Sequence, residues 1–118
     1  MNERAVVYTH NTIIGALGAN LVWTFMIPYG LTLIHVSAVG LNAHNATIMI
    51  GDSGDTDQAM TAQDIGDSSV PAEYEGSDFD GASNHFVDGD VITVTVDYDG
   101  AGGTAIQGMQ LALTFLVG

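Results

Sequence analysis

The chain has 118 residues and no cysteine, and its 14 acidic side chains against one base, Arg4, give a net charge of −13. This length fits one domain, and the lack of thiols excludes disulfides and thiolate chemistry. Nucleic acid and anionic membranes are poor partners for such a chain, because both are bound through Lys and Arg.

Period-two alternation of apolar and polar residues predicts β-strands through the first part of the chain. We expect residues 1–10 to form an N-terminal arm or a first strand and residues 11–118 to form the folded domain. Residues 21–27 read as a half-buried strand with Trp23 on the inward face. A connection rich in Gly and Asn precedes this strand.

Residues 31–41 form a long run rich in β-branched side chains. Leu31 and Leu33 fall on the opposite face from Val36 and Ala38 if the alternation is regular. Either both faces of this strand are covered, or a β-bulge shifts its register.

The middle of the chain is predicted to be an acidic, loop-rich excursion at residues 51–86, after a short strand at 46–51. Of the 14 acids, 13 lie between Asp52 and Asp99. We expect one or two short strands within the excursion, one of them an edge strand at 59–63. Beyond it, residues 90–117 alternate strongly and predict an antiparallel hairpin with its turn at 99–103.

About seven or eight short strands separated by Gly- and Asn-rich turns indicate an all-β fold. The expected architecture is a single antiparallel β-sandwich with a jelly-roll-like arrangement. No segment shows the 3.6-residue period of an amphipathic helix.

Catalytic motifs are missing, so we predict that the protein is not an enzyme. No serine stands in a Gly-x-Ser-x-Gly setting, and the glycine run at 100–103 lacks the lysine and strand-to-helix context of a phosphate loop. The four histidines, His10, His35, His44 and His85, are too widely spaced for a metal-binding motif and are assigned structural or surface roles.

One loop has the composition of a cation site. Asp52, Asp55 and Asp57 lie close together on a stretch that contains Gly51 and Gly54, and Ca²⁺ prefers such hard oxygen ligands. The spacing departs from an EF-hand loop, which would end in a glutamate where this chain has Gln63. The alternative, which we favour, is a turn held by hydrogen bonds of the Asp side chains, with no cofactor.

The last third of the chain resembles a family of small virion proteins. The residues that carry the resemblance are 87–100 (VDGDVITVTVDYDG), 103–105 (GTA) and 113–118 (LTFLVG), with Gly51-Asp52-Ser53 as a further match. These segments look like parts of the β-sandwich or jelly-roll proteins that decorate or cement the capsids of tailed bacteriophages. The resemblance extends over roughly residues 30–118 and assigns no binding site residue by residue.

The resemblance implies a decoration or cement subunit on the outer capsid surface of a virion. Its partners would be the major capsid protein and further copies of itself, commonly as a homotrimer, with neither nucleic acid nor membrane. We expect synthesis in the host cytoplasm, because the first residues lack the features of a signal peptide. Arg4, Val6 and Tyr8, in the segment that could reach a neighbour, are the predicted assembly contacts.

A different class of protein remains open at this point. The same composition suits a carbohydrate- or calcium-binding β-sandwich module from a halophilic or marine organism. Such a module would present aromatic side chains on an exposed surface, for which Tyr29, Tyr74 and Phe79 are the candidates.

Overall fold

The computed structural model describes residues 4–11, 16–98 and 103–118, and almost all regular structure in these residues is β-strand. A 3₁₀ turn occupies Gly76–Asp78. The strands, in chain order, are β1 (Ala5–Asn11), β2 (Leu21–Met26), β3 (Leu31–Val39), β4 (Thr47–Asp52), β5 (Met60–Asp64), β6 (Ala72–Glu75), β7 (His85–Phe86), β8 (Val91–Asp97) and β9 (Gln110–Val117). No helix within the described residues has the length and apolar character needed to cross a membrane.

The strands form two antiparallel sheets. Sheet I has the order β1-β9-β3-β6, and β7 also pairs with β3; sheet II has the order β2-β8-β4-β5. Because β6 and β7 both pair with the same side of β3, the strands fill four positions in each sheet. Two four-position sheets linked by repeated crossings from one sheet to the other make a jelly roll. The predicted all-β sandwich is therefore confirmed.

The predicted hairpin at residues 90–117 is wrong. β8 pairs with β2 and β4 in sheet II, whereas β9 pairs with β1 and β3 in sheet I. The two strands face each other across the core instead of sharing hydrogen bonds. Both bury alternate side chains, and that pattern does not depend on which strand is the neighbour. Most of the predicted turn, residues 99–102, lies outside the described residues.

A β-bulge in β3 resolves the ambiguous alternation of residues 31–41. The pairing of β3 with β9 shifts register between Leu33 and His35, which leaves Ile34 as the extra residue. Leu33 and Val36 are both fully buried as a result, and Ile34 is 37% exposed. The bulge keeps the apolar residues on both sides of it directed into the core.

The inner faces of both sheets supply one continuous core. Its largest fully buried side chains come from strands of both sheets and from the loops that join them: Phe86, Phe115, Ile27, Leu31, Leu33, Ile48, Ile50, Met60, Ile92, Ile106, Met109 and Leu111. Burial of this much apolar surface is the main favourable term in folding.

The acidic segment at 51–86 is held to the sandwich by strands and by two buried aromatic side chains, Phe79 and Phe86. It contains the predicted edge strand, which is β5 at the end of sheet II, and also β6, the 3₁₀ turn and β7. Phe79 is only 6% exposed and belongs to the core. Beside it, the Asp80 N–H donates to the carbonyl of Ala59 at 2.9 Å. The acidic residues of this segment therefore lie on loops that are fixed to the core by these contacts.

Candidate assembly surface

Charge is distributed unequally over the strands. β1, β2, β3 and β9 contain no Asp, Glu, Lys or Arg, although the chain carries a net charge of −13. Three of these strands are adjacent in sheet I, so the outer face of β1, β9 and β3 is uncharged. A shallow depression of about 340 Å³ on this face is lined by uncharged residues, including Thr9, Ser37 and Gln110.

The edge strands β1 and β2 present apolar side chains to solvent. Their outward residues alternate with half-buried ones, and the largest of them, Val7, Val22 and Met26, are 55%, 59% and 68% exposed. We call the two edge strands with these outward side chains the β1/β2 side. Val7 lies on the outer face of sheet I, and Val22 and Met26 lie on the outer face of sheet II, so both sheets expose apolar side chains at this end.

The backbone of β1 also has a free edge. The Val117 N–H donates to the Arg4 carbonyl at 2.8 Å, which makes these residues a hydrogen-bonded pair of the β1–β9 ladder. Such pairs alternate along an antiparallel ladder, so the even-numbered residues of β1 bond to β9. The odd-numbered residues 5–11 direct their N–H and C=O groups away from β9. No strand in the described part of the chain covers this edge.

An aromatic cluster lies behind these edges, between the two sheets. The rings of Tyr8 and Phe25 stack with centroids 4.4 Å apart, and Trp23 lies 4.9 Å from Phe25. Phe115 meets Tyr8 edge-on at 5.6 Å. Trp23 faces inward as predicted, but Tyr8, Trp23 and Phe25 are only half-buried. The β1/β2 side is therefore the less completely covered side of the core.

The opposite edges, β5 and β6, are short and charged. Glu73 and Glu75 project from β6, and Asp64 ends β5. Nε2 of His35 lies 3.5 Å from a carboxylate oxygen of Glu73. The Tyr74 hydroxyl donates to the carbonyl of Asp64. Burial raises the pKa of Tyr74, and the nearby charges of Asp64 and Asp78 raise it further.

The predicted assembly residues are divided between the surface and the core. Val6 and Tyr8 pack against the core from the inner face of β1, whereas Arg4 is exposed beside the first residue of that strand. Their role in assembly stays a prediction. The outward residue between them, Val7, was not singled out from the sequence. The signal for it was present, because apolar residues occupy both faces of β1.

The predicted calcium loop is a turn held by its own side chains. One carboxylate oxygen of Asp52 accepts hydrogen bonds from the N–H groups of Gly54 and Asp55, both at 2.8 Å. The backbone of residues 55–57 lies directly over Gly51, where a Cβ would come within 2.0 Å of the Asp55 carbonyl oxygen. Gly51 therefore permits the loop to fold back over the end of β4.

Four carboxylates surround an open depression next to this turn. Asp55 and Asp57 come from the β4–β5 loop, Asp78 and Asp80 come from the β6–β7 segment, and the depression measures about 400 Å³. A hydrogen bond with Asp55 raises the pKa of Asp57, and burial and the charge of Asp55 act in the same direction. No three His, Asp or Glu side chains in the described ranges are grouped so that they could hold a metal ion. Calcium binding stays a prediction.

The other candidate residues have structural surroundings. Phe79 lies in the core and Tyr74 is half-buried, so only Tyr29 of the three aromatic candidates is well exposed. His44 is buried: its Nδ1 accepts from the Ala46 N–H at 3.0 Å, and its Nε2 lies 3.0 Å from the Gly66 carbonyl oxygen. This pattern requires the proton on Nε2 and makes His44 a link between two loops.

Two solved structures are similar to this chain over nearly its whole length. One is a chain of the cyanophage Pam1 capsid asymmetric unit, with a TM-score of 0.59 and 12% identity, covering 99% of this chain and 86% of that one. The other comes from the capsid of Ralstonia phage GP4, with a TM-score of 0.57 and 16% identity, covering 99% and 85%. No protein-family model and no curated protein matches the sequence. At these identities the likeness shows the fold, a jelly roll that also occurs in phage capsids.

Proposed function

We propose that the chain is a non-enzymatic structural protein of a virion, a decoration or cement subunit. In this role it binds the outer surface of a shell built from the major capsid protein and associates with further copies of itself, as a trimer. The observation that carries the proposal is a jelly roll in which β1, β2, β3 and β9 have no charged residue although the chain has a net charge of −13.

The fold supports this proposal because similar folds occur in phage capsids. The two similar structures come from phage capsids, and each aligns with almost all of this chain. Fold alone does not determine function, and the charge distribution of the surface is the second support for the proposal.

The surface suits a protein that is present at high local concentration on a shell and does not bind nucleic acid. High net negative charge keeps copies soluble and repels nucleic acid. The uncharged strands leave one region where protein–protein contact avoids desolvation of charged groups, which is costly. Loops with acids, such as 52–57 and 76–80, then remain in water.

The test is co-sedimentation with empty shells assembled from the major capsid protein encoded in the same genome. We expect saturable binding with a fixed number of copies per shell, unchanged when a calcium chelator is added. Protein that stays in the supernatant at every ratio would contradict the proposal. Binding that disappears with the chelator would instead favour the calcium-binding module.

A further inference from the structure

We infer that the β1/β2 side is the surface through which the protein associates with itself, by pairing the free edge of β1 with an edge strand of a second copy. This inference rests on the self-association in the proposed function and names the residues that perform it. The strand added to β1 would extend sheet I beyond its present end.

Unpaired backbone groups are the first argument. The odd-numbered residues 5–11 of β1 direct their N–H and C=O groups to the open edge, as the Arg4–Val117 hydrogen bond establishes. A row of such groups is a template for another strand, and peptide edges bind through main-chain hydrogen bonds in this way. β1 is seven residues long and β2 is six, which is enough for a stable pairing length.

The lack of edge protection is the second argument. Soluble proteins usually protect an edge strand with charged side chains, proline, a bulge or a short strand. β1 carries none of these: it has no charged residue and no proline, and its pairing with β9 has no register shift. On the opposite side, β6 has four residues, two of them Glu73 and Glu75, and follows Pro71. The same molecule thus protects one pair of edges and leaves the other bare.

Exposed and half-buried apolar side chains near the free edge of β1 are the third argument. Val7, Val22 and Met26 stand outward on the bare edges, and the half-buried rings of Tyr8, Trp23 and Phe25 lie just behind them. A second chain laid along β1 would place its own side chains beside Val7 on the outer face of sheet I and beside Tyr8 on the inner face. Cross-strand pairs of β-branched and aromatic residues stabilise such a pairing of strands.

The charge distribution favours another copy of this chain as the partner that binds the β1 edge. With a net charge of −13 and no lysine, two copies repel each other wherever their acidic loops approach. The β1/β2 side is where strands of both sheets are uncharged, so it is the side on which copies meet with the least repulsion. A basic partner would instead be drawn to the side with Asp64, Glu73 and Glu75.

The experiment measures amide hydrogen exchange and mass together on the full chain. In the associated state we expect the amides of Ala5, Val7 and Thr9 to be protected in addition to those of Val6, Tyr8 and His10, which bond to β9. Dilution to the monomer should remove protection from the odd-numbered amides alone. This alternation within one strand separates edge pairing from contact through any other surface.

Two variants and a matched control make the test specific. Val7→Lys places a charge on the bare edge, and Thr9→Pro removes an N–H that points away from β9 and so leaves the β1–β9 ladder intact. Both should lower the light-scattering mass to the monomer value of 12.3 kDa at a concentration where the natural chain is associated. Thr61→Lys on β5 makes the same charge change on the opposite edge and should stay associated.

The outcomes separate this inference from the proposed function. A natural chain that stays at 12.3 kDa at millimolar concentration overturns the inference, and so do folded Val7→Lys and Thr9→Pro proteins that remain associated. Shell binding by such a monomer would leave the decoration role standing. Association through β1 without shell binding would support the inference and refute the decoration role.

Discussion

Tyr8 and Phe25 join the edge strands of the two sheets. Tyr8 lies on β1 of sheet I, Phe25 lies on β2 of sheet II, and their rings stack with centroids 4.4 Å apart at an interplanar angle of 22°. No backbone hydrogen bonds link β1 to β2 in the described strand pairings, so this contact helps to hold the sandwich closed on the β1/β2 side.

The first prediction concerns that contact. Tyr8→Ala and Phe25→Ala should each destabilise the fold, and the double variant should lose less than the sum by about 0.5–1.5 kcal/mol, the coupling typical of aromatic pairs. Urea unfolding at one protein concentration measures the cycle. A second cycle of Tyr8→Ala with Val70→Ala, an exposed residue on the β5–β6 loop that is not part of the aromatic cluster, should be additive within about 0.5 kcal/mol. A coupling near zero for the first pair would show that the stack does not bind the sheets together.

The second prediction concerns Gly51 under the acidic turn. A Cβ at Gly51 would collide with the backbone of residues 55–57, whereas one at Gly54 would have only the Asp52 side chain at 3.5 Å. Gly51→Ala should therefore destabilise the protein by about 1–3 kcal/mol or more through overpacking. Gly54→Ala is the matched control and should change the free energy of unfolding much less. Equal effects in denaturant unfolding would contradict the close approach of the loop.

Sequence periodicity predicted the strands better than their partners. The alternation of β8 and β9 identified each as a strand, but it fits a hairpin neighbour and a partner in the opposite sheet equally well. Which strands pair is decided by contacts between residues far apart in the chain, such as β9 with β1. The bulge at Ile34 was foreseen as one of two alternatives, because only a register shift buries both Leu33 and Val36.

The assembly surface was harder to predict from the sequence than the fold. Val6 and Tyr8, whose contact with a neighbour stays a prediction, lie on the inner face of β1, and alternation alone does not say which face of β1 meets the core. Val22 and Met26 lie on the opposite face from Trp23 and are exposed as the alternation predicts, but the position of β2 at a sheet edge follows only from the strand order. Free edges are a property of the whole topology and have no local motif.

The third prediction concerns a strained turn between β5 and β6. Ser68 and Ser69 have φ angles of 52° and 67°, and the Val70 N–H donates to the Asp67 carbonyl across them at 2.9 Å. Two successive positive φ angles define a type I′ turn, which favours Asn-Gly over Ser-Ser. Ser69→Gly should raise stability by up to about 1 kcal/mol, since the left-handed conformation costs a non-glycine residue about that much. A lower melting temperature for this variant would contradict the prediction.

The fourth prediction concerns the pH dependence of Asp57. Its pKa is raised, first by the hydrogen bond with Asp55, so the folded state holds the proton more tightly than the unfolded state does. The contribution of Asp57 to stability is therefore present at low pH and is lost as the pH rises through its folded pKa. Asp57→Asn should be more stable than the natural chain at pH 7, and the difference should shrink as the pH falls through that pKa.

Thermal unfolding at several pH values checks this sign. Asp88→Asn removes the same charge from a different loop and controls for the general relief of net charge. An advantage of Asp57→Asn that is the same at every pH, or that equals the advantage of Asp88→Asn, would contradict the coupling of Asp57 with Asp55.

Cryo-electron microscopy of shells saturated with the protein tests the central claim most directly. The account predicts sandwich-shaped density on the outer capsid surface, with neighbouring copies in contact through their β1/β2 sides and the loops at 52–57 and 76–80 facing solvent. Bare shells, or copies that meet through β5 and β6 with β1 and β2 left open to water, would contradict it.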